Sequence, residues 1–221
     1  MDVETARYNM IEQQIRPWNV LDQDVLDALA ALRREDFVAP AYRALAFADV
    51  EIPINPGGTP SGETMFTPKV EARLLQALSP RKHETALEIG TGSGYGTALL
   101  CLKTREVITY EIDPKIFEFA NQNLQRAGIV NVSLHSNDGA KIAGNQRYDL
   151  IVLSGSVQHV PQAWLERLAV GGRMAAIVGD SPAMKALLIR RDDELRWNTT
   201  ELFETHAKRL ASFPSREPFR F

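Results

Sequence analysis

Between residues 84 and 180, five short apolar runs recur with amphipathic segments between them. They are TALEI (85–89), VITYEI (107–112), VSLH (132–135), YDLIVL (148–153) and MAAIV (174–178). Short, mostly apolar runs of this kind read as strands. The intervening stretch from Pro114 to Ala127 has helical spacing, with Ile116, Phe117, Ala120 and Leu124 on one side. Strand, helix, strand at this spacing predicts βαβ units. The fold class is therefore α/β: a doubly wound, mostly parallel sheet with helices on both faces. Gly128 and the pair Gly171-Gly172 stand where helices are expected to end. Beyond residue 183, ALLIRR and LRWNTTELF are further strand candidates, while SFPSREPFRF carries no assignment.

Residues 1–82 read differently, as an N-terminal helical extension to the α/β domain of residues 83–221, the two packed as one globular unit. Asp22 is placed to cap a helix whose inward face is Val25, Leu26, Leu29 and Leu32. DVEIPI (49–54) is a short extended piece in which Pro53 argues for an edge or a turn. NPGGTPSGE (55–63) has the composition of a surface loop. Thr67-Pro68 is an N-cap and first-turn pair for a helix that buries Val70, Leu74, Leu75 and Leu78 and stops near Pro80.

Bulk composition excludes several partner classes. A net charge of -3 provides no basic field for nucleic acid. No apolar run approaches the roughly 20 residues needed to span a bilayer, and the polar, acidic start lacks the pattern of a signal peptide. Cys101 is the only cysteine, so no intramolecular disulfide or cysteine metal cluster can form. These features predict a cytoplasmic protein with no nucleic-acid partner, no membrane association and no metal. They leave the oligomeric state open.

The first strand runs into ALEIGTGSGYG, where Gly90, Gly92, Gly94 and Gly96 alternate ahead of a helical stretch. A phosphate loop needs Gly-Lys-Ser/Thr, but Gly96 is followed by Thr97-Ala98. The dinucleotide fingerprint fails in register, because its sixth position falls on Tyr95 or Thr97. Glu88 stands at the mouth of the loop, and no Lys or Arg lies between Lys82 and Lys103. A lone carboxylate repels a pyrophosphate and attracts a cation. S-adenosyl-L-methionine matches, with a sulfonium, an ammonium and no phosphate. Glu111 ends the second strand, where an acidic side chain can bind ribose hydroxyls, and Asn137-Asp138-Gly139 follows the third strand at the adenine edge. The residues themselves thus point to Glu88, the glycines of the loop, Glu111 and Asn137-Asp138-Gly139 as a candidate cofactor site.

Several longer stretches extend this reading. ARYNMIEQQI, VLDALAALRREDFV, AFADVEIPI, LEIGTGSGY and YDLIVLSGSVQHVP followed by LAVGGRMAAIVG resemble the protein-L-isoaspartate (D-aspartate) O-methyltransferase family over the first four fifths of the chain. The resemblance implies a Rossmann-like class I methyltransferase fold with cofactor contacts at Glu88, Gly90, Gly92, Ser93 and Gly94, then Glu111, then Asp138 and Gly139; Thr91, Tyr95, Ile112, Asn137 and, on the fourth strand, Ser154 complete the candidate cofactor-binding set. It also implies a reaction that moves a methyl group from S-adenosyl-L-methionine to a carboxylate of an isomerised aspartate in a protein or peptide. The family usually carries Gly-Gln-Thr-Ile-Ser-x-Pro before the core, its serine lying beside the transferring methyl group. Here the segment is Gly62-Glu63-Thr64-Met65-Phe66-Thr67-Pro68, so Phe66 takes the serine position and Thr64 and Thr67 are the hydroxyls on offer as catalytic groups. Two alternatives stand beside this reading: the same cofactor with another carboxylate or hydroxyl acceptor, and a cofactor-binding protein without turnover. Leu153-Ser154-Gly155-Ser156 is neither the Asp/Asn-Pro-Pro-aromatic motif of amino methylation nor a metal-binding carboxylate set. His159 is a candidate base for a hydroxyl acceptor, though a loop histidine is more often simply solvated. Cys101 is expected to be a buried small apolar residue.

Overall fold

The structure, a computed structural model, describes residues 2–215. The chain opens with α1 (Val3–Met10), capped by Asp2, and continues through π and 3-10 turns to Trp18. α2 (Gln23–Ala31) follows, with the Asp22 carboxylate accepting from the Asp24 and Val25 amides as expected of an N-cap. The short strands β1 (Ile52–Pro53) and β2 (Thr64–Met65) pair as an antiparallel hairpin around the glycine-rich loop, ahead of α3 (Pro68–Leu78). The core then runs β3 (Thr85–Ile89), α4 (Tyr95–Lys103), β4 (Glu106–Glu111), α5 (Pro114–Arg126) and β5 (Val132–Ser136). It ends with β6 (Tyr148–Val157), α6 (Gln162–Leu165), β7 (Leu168–Asp180), β8 (Ala183–Arg191) and β9 (Trp197–Thr205).

These strands form one seven-stranded sheet in the order β5-β4-β3-β6-β7-β8-β9. β3 through β7 are parallel, and β8 and β9 are antiparallel additions. The class is the doubly wound, mostly parallel α/β fold with helices from the N-terminal extension against it. One face is packed by Leu74, Leu75, Leu99, Ile116 and Leu124 of α3, α4 and α5, and the same cluster takes in Met10, Leu26 and Leu29 of the extension. The other face carries Leu87, Ile151 and Met174 against Trp164 and Phe213. Among the described residues, no helix is long and apolar enough to cross a membrane.

Three local expectations change. Gly171 and Gly172 end no helix: α6 is a single turn finishing at Leu165, and both glycines lie inside β7. Gly171 has φ +82° and a Cβ on Gly172 would meet the Asp149 carbonyl at 3.0 Å, so the pair forms the irregularity where the β6 register jumps from Leu168 to Arg173. On α5 it is Phe119, not Phe117, that packs on the core with Ile116, Ala120 and Leu124; positions 117 and 119 lie about 200° apart around a helix, on opposite flanks of that buried stripe. Thr67 precedes Pro68 at the start of α3, but its hydroxyl makes no cap; its carbonyl takes the Val70 and Glu71 amides instead. The SFPSREPFRF stretch is described as far as Arg216's predecessor, and its remainder lies outside the described residues.

Candidate functional site

The strand order reverses between β3 and β6, and in sheets of this kind ligands bind in the crevice at the carboxyl ends of the strands flanking that point. The glycine loop occupies this position. Gly90, Gly92 and Gly94 have φ of +91°, +58° and +86°, a region that side-chain-bearing residues rarely adopt. The Gly90 amide donates to the Tyr110 carbonyl at 2.9 Å, which fixes the loop across the end of β4.

Two adjoining cavities meet here. The larger, about 710 Å³, is bordered by Gly90, Gly92, Glu111, Ile112, Asp138 and Gly139, together with Leu210 of the C-terminal segment. The second, about 650 Å³, runs between α3 and α4 and is bordered by Thr64, Phe66, Glu71, Glu88, Ser93 and Leu99. Gly90, Gly92, Thr64 and Ser154 border both, so the two form one continuous cleft.

Glu88 is 1% exposed and caged by hydroxyls. Thr97 and Thr109 donate to one carboxylate oxygen, and Ser154 donates to the other at 2.9 Å. Burial pushes its carboxyl up to about 7; the three hydroxyls oppose this, and the nearby Glu71 carboxylate adds to it. Glu71 itself is raised to about 6 by burial, against the pull of Arg34, whose guanidinium is fully buried and holds both Glu71 and, at 2.7 Å, the Phe66 carbonyl. Glu111 accepts from the Gly92 amide at 3.0 Å and the Asp113 amide at 3.0 Å, one bond on each oxygen, so each oxygen retains acceptor capacity. Burial raises its carboxyl, and those amides oppose the rise. At Asp138, burial is outweighed by Lys141, the Ser212 hydroxyl and the Ala140 amide, which together hold it below the usual carboxylate range.

The other candidates divide. Thr91 borders the second cavity, its hydroxyl shared with Thr109 at 2.7 Å. Ser93 also borders it, and Ile112, half exposed, flanks the larger one. Gly94 faces away and packs on α5, where a Cβ would meet Leu124 at 3.1 Å. Tyr95 is buried beneath the cleft, edge-on to Phe37 and under the Arg34 guanidinium. Asn137 is exposed and borders neither cavity. The Thr67 hydroxyl is buried without a partner and also borders neither, so of the two threonines only Thr64 reaches the cleft. His159 lies away from both cavities, and Cys101 is buried, its thiol pushed up to about 12 by burial. No group of three or more potential metal ligands occurs among the described residues. Sequence reading missed Arg34, Glu71 and Leu210. Their signal is non-local: Arg34 meets Glu71 from 37 positions away, and Leu210 reaches Gly90 from the far end of the chain.

Comparison with known proteins places this geometry. The family model for protein-L-isoaspartate (D-aspartate) O-methyltransferase matches residues 5–205. A protein-L-isoaspartate O-methyltransferase from Koribacter versatilis is 36% identical over 89% of this chain and 86% of its own length. One from Burkholderia ambifaria is also 36% identical, but this chain spans only 64% of its length. Among solved structures, a Plasmodium falciparum protein described by the same family name, in complex with S-adenosyl-L-homocysteine, superposes with a TM-score of 0.79 at 17% identity, over 96% of this chain and all of that one. A further protein-L-isoaspartate O-methyltransferase gives 0.76 at 25% identity, over 94% of this chain and 65% of the other. With matching sequence over most of its length and matching topology, the chain belongs to the protein-L-isoaspartate (D-aspartate) O-methyltransferase family.

Proposed function

We propose that the protein is an S-adenosyl-L-methionine-dependent carboxyl methyltransferase acting on isomerised aspartate in proteins or peptides. One observation carries the cofactor half of this reading: Glu88, Glu111 and Asp138, at or just beyond the ends of three neighbouring parallel strands, belong to one glycine-floored cleft. The donor chemistry fits this cofactor. Gly90 and Gly92 leave the floor open to close backbone approach, and a Cβ on Gly92 would meet Ile54 at 3.3 Å. Arg209 borders the larger cavity, but Asp180 holds it at 2.7 Å, so the cleft offers carboxylates and amides rather than phosphate-binding cations.

In this assignment Glu111 accepts the ribose hydroxyls, Asp138 meets the adenine edge, and Ile112 covers the base. Glu88 provides negative charge toward the cationic end, with Ser154 holding its carboxylate. When bound, the cofactor supplies an electrophilic methyl group. An acceptor carboxylate, with a pKa near 4, is already ionised at neutral pH, so the protein needs no general base. Its work is alignment and exclusion of water. Thr64 is the side-chain hydroxyl on the rim that would orient the acceptor; its single proton, donated to Glu51 at 3.0 Å, has to turn from that carboxylate to the acceptor to do so. The extension of residues 1–82 provides the acceptor-side wall through Ile54, Thr64 and Phe66, over the α/β unit of residues 83–221.

Phe66 favours a second reading in which the acceptor is another carboxylate or a hydroxyl, because an apolar ring borders the cleft where relatives are expected to carry a serine. Methyl-labelled cofactor and paired peptides differing only in aspartyl or isoaspartyl linkage separate the two. Label on the isoaspartyl member alone supports the first reading. Label on neither, with S-adenosyl-L-homocysteine still binding, would overturn the first and leave the second.

A further inference from the structure

Beyond β9 the chain does not leave the molecule but returns across the cleft. Ser156 at the end of β6 donates its amide to the Lys208 carbonyl at 2.7 Å and accepts from the Leu210 amide at 2.9 Å, while its hydroxyl donates to the Ala207 carbonyl at 2.9 Å. These bonds fix residues 207–210 as a short parallel addition to β6. Leu210 is thereby set on the glycine floor: a Cβ on Gly90 would lie 3.1 Å from its Cδ2, and one on Gly155 only 2.8 Å away. Gly155 thus has room for Leu210 only because it lacks a side chain. Arg209 is tied to Asp180, Leu210 and Ala211 border the larger cavity together with Asp138, and Phe213 is buried against Trp164 with ring centroids 5.2 Å apart. Lys208 crosses to the hairpin loop, donating to the Gly62 carbonyl at 3.0 Å and to Glu63.

The segment therefore joins four borders of the cleft: the end of β6, the glycine floor, the adenine end and the hairpin loop. It also lies outside residues 5–205, the part of the chain that the family model matches. We propose that residues 207–213 form a strap that is the outer wall of the cofactor cleft, with Leu210 as its contact and Lys208–Glu63 as a latch that retards cofactor exchange. This rests on the cofactor assignment above. The physical case is enclosure. Without the strap, the face of the cleft over Gly90 opens to water. With it, a ligand on the glycine floor is covered by an apolar side chain, and must wait for the latch to open before it leaves.

The test is binding of S-adenosyl-L-homocysteine to the full chain by calorimetry and stopped-flow fluorescence. Leu210→Ala is expected to weaken binding about tenfold, almost entirely through faster dissociation. Lys208→Glu, at an exposed pair, is expected to speed dissociation by up to about fivefold, and adding Glu63→Lys to the same chain restores the wild-type rate. Melting of the ligand-free proteins controls for a merely structural effect: the single charge reversal leaves it within about one degree while the dissociation rate moves. Wild-type binding that is unchanged in both Leu210→Ala and Lys208→Glu overturns the strap and leaves the cofactor assignment standing. Failure of the wild-type protein to bind overturns both.

Discussion

Glu88 makes the stability of the cofactor-free protein depend on pH in a direction opposite to that of most carboxylates. Burial carries its carboxyl from an ordinary 4.5 to about 7, so the folded chain retains a proton that the unfolded chain has already released. The stabilising contribution is then fully present below about pH 4.5 and is lost as pH rises through about 7, an amount of about 3 kcal/mol at 1.36 kcal/mol per pH unit. Glu71, raised to about 6, and Glu111, also raised, act in the same direction. The lowered carboxyls of Glu84 and Asp138 act oppositely, but only in more acid solution. Urea unfolding at intervals between about pH 5 and about pH 8 measures the loss directly. Glu88→Gln keeps the shape and an acceptor for the Thr97 and Thr109 hydroxyls while removing the titration. The difference between wild type and variant should therefore shift by about 3 kcal/mol across that window. Saturating S-adenosyl-L-methionine, with its cationic end toward Glu88, should flatten the wild-type curve. Parallel curves for wild type and Glu88→Gln would refute the reasoning, because they would mean that Glu88 does not titrate in this range.

Other perturbations follow from the same geometry. Arg34→Met leaves Glu71 buried without its cation and should cost about 3–5 kcal/mol in urea unfolding, with Arg34→Met/Glu71→Leu recovering most of it. Phe66→Ser should raise kcat/KM for an isoaspartyl peptide if the missing hydroxyl limits acceptor alignment, and no gain would argue that Thr64 already serves; initial rates with labelled cofactor decide. Gly139→Ala sets a Cβ 2.8 Å from Ile89 and 2.9 Å from Tyr110, and should destabilise the protein by about 1–3 kcal/mol and loosen the adenine end, read by melting and cofactor binding. Cys101 should resist a thiol reagent at neutral pH until the protein unfolds, because its thiol is buried and its ionisation pushed up to about 12.

How much of this was legible in the sequence depends on how local each signal is. β3, the glycine loop and α4 occupy consecutive residues, so TALEI followed by alternating glycines specifies strand, turn and helix together. Glu111 ends β4 in the same local way, and Asp138 follows two residues after β5. Phase and rotation are less local. Tyr95 is adjacent to Gly94, yet the first turn of α4 directs it under the cleft toward Phe37 and Arg34. Thr67 is one residue from Phe66, and that single step takes its hydroxyl out of the cleft, while Thr64 remains on the rim.

The groups around the cavity between α3 and α4 are assembled from distant positions, which is why spacing could not reveal them. Arg34 fixes the Phe66 carbonyl from the extension, and Glu71 and Glu88 approach each other beside a residue without a side chain: Gly96, where a Cβ would lie 3.3 Å from Glu88 and 3.8 Å from Glu71. That juxtaposition also explains why Gly96 sits beyond the part of the loop that turns the chain. It is helical, so it is not needed for a left-handed backbone; its missing side chain instead leaves the Glu88 carboxyl unpressed. The alternation of four glycines thus serves two physical ends. Gly90, Gly92 and Gly94 supply backbone conformation, and Gly96 leaves room in the cavity between α3 and α4.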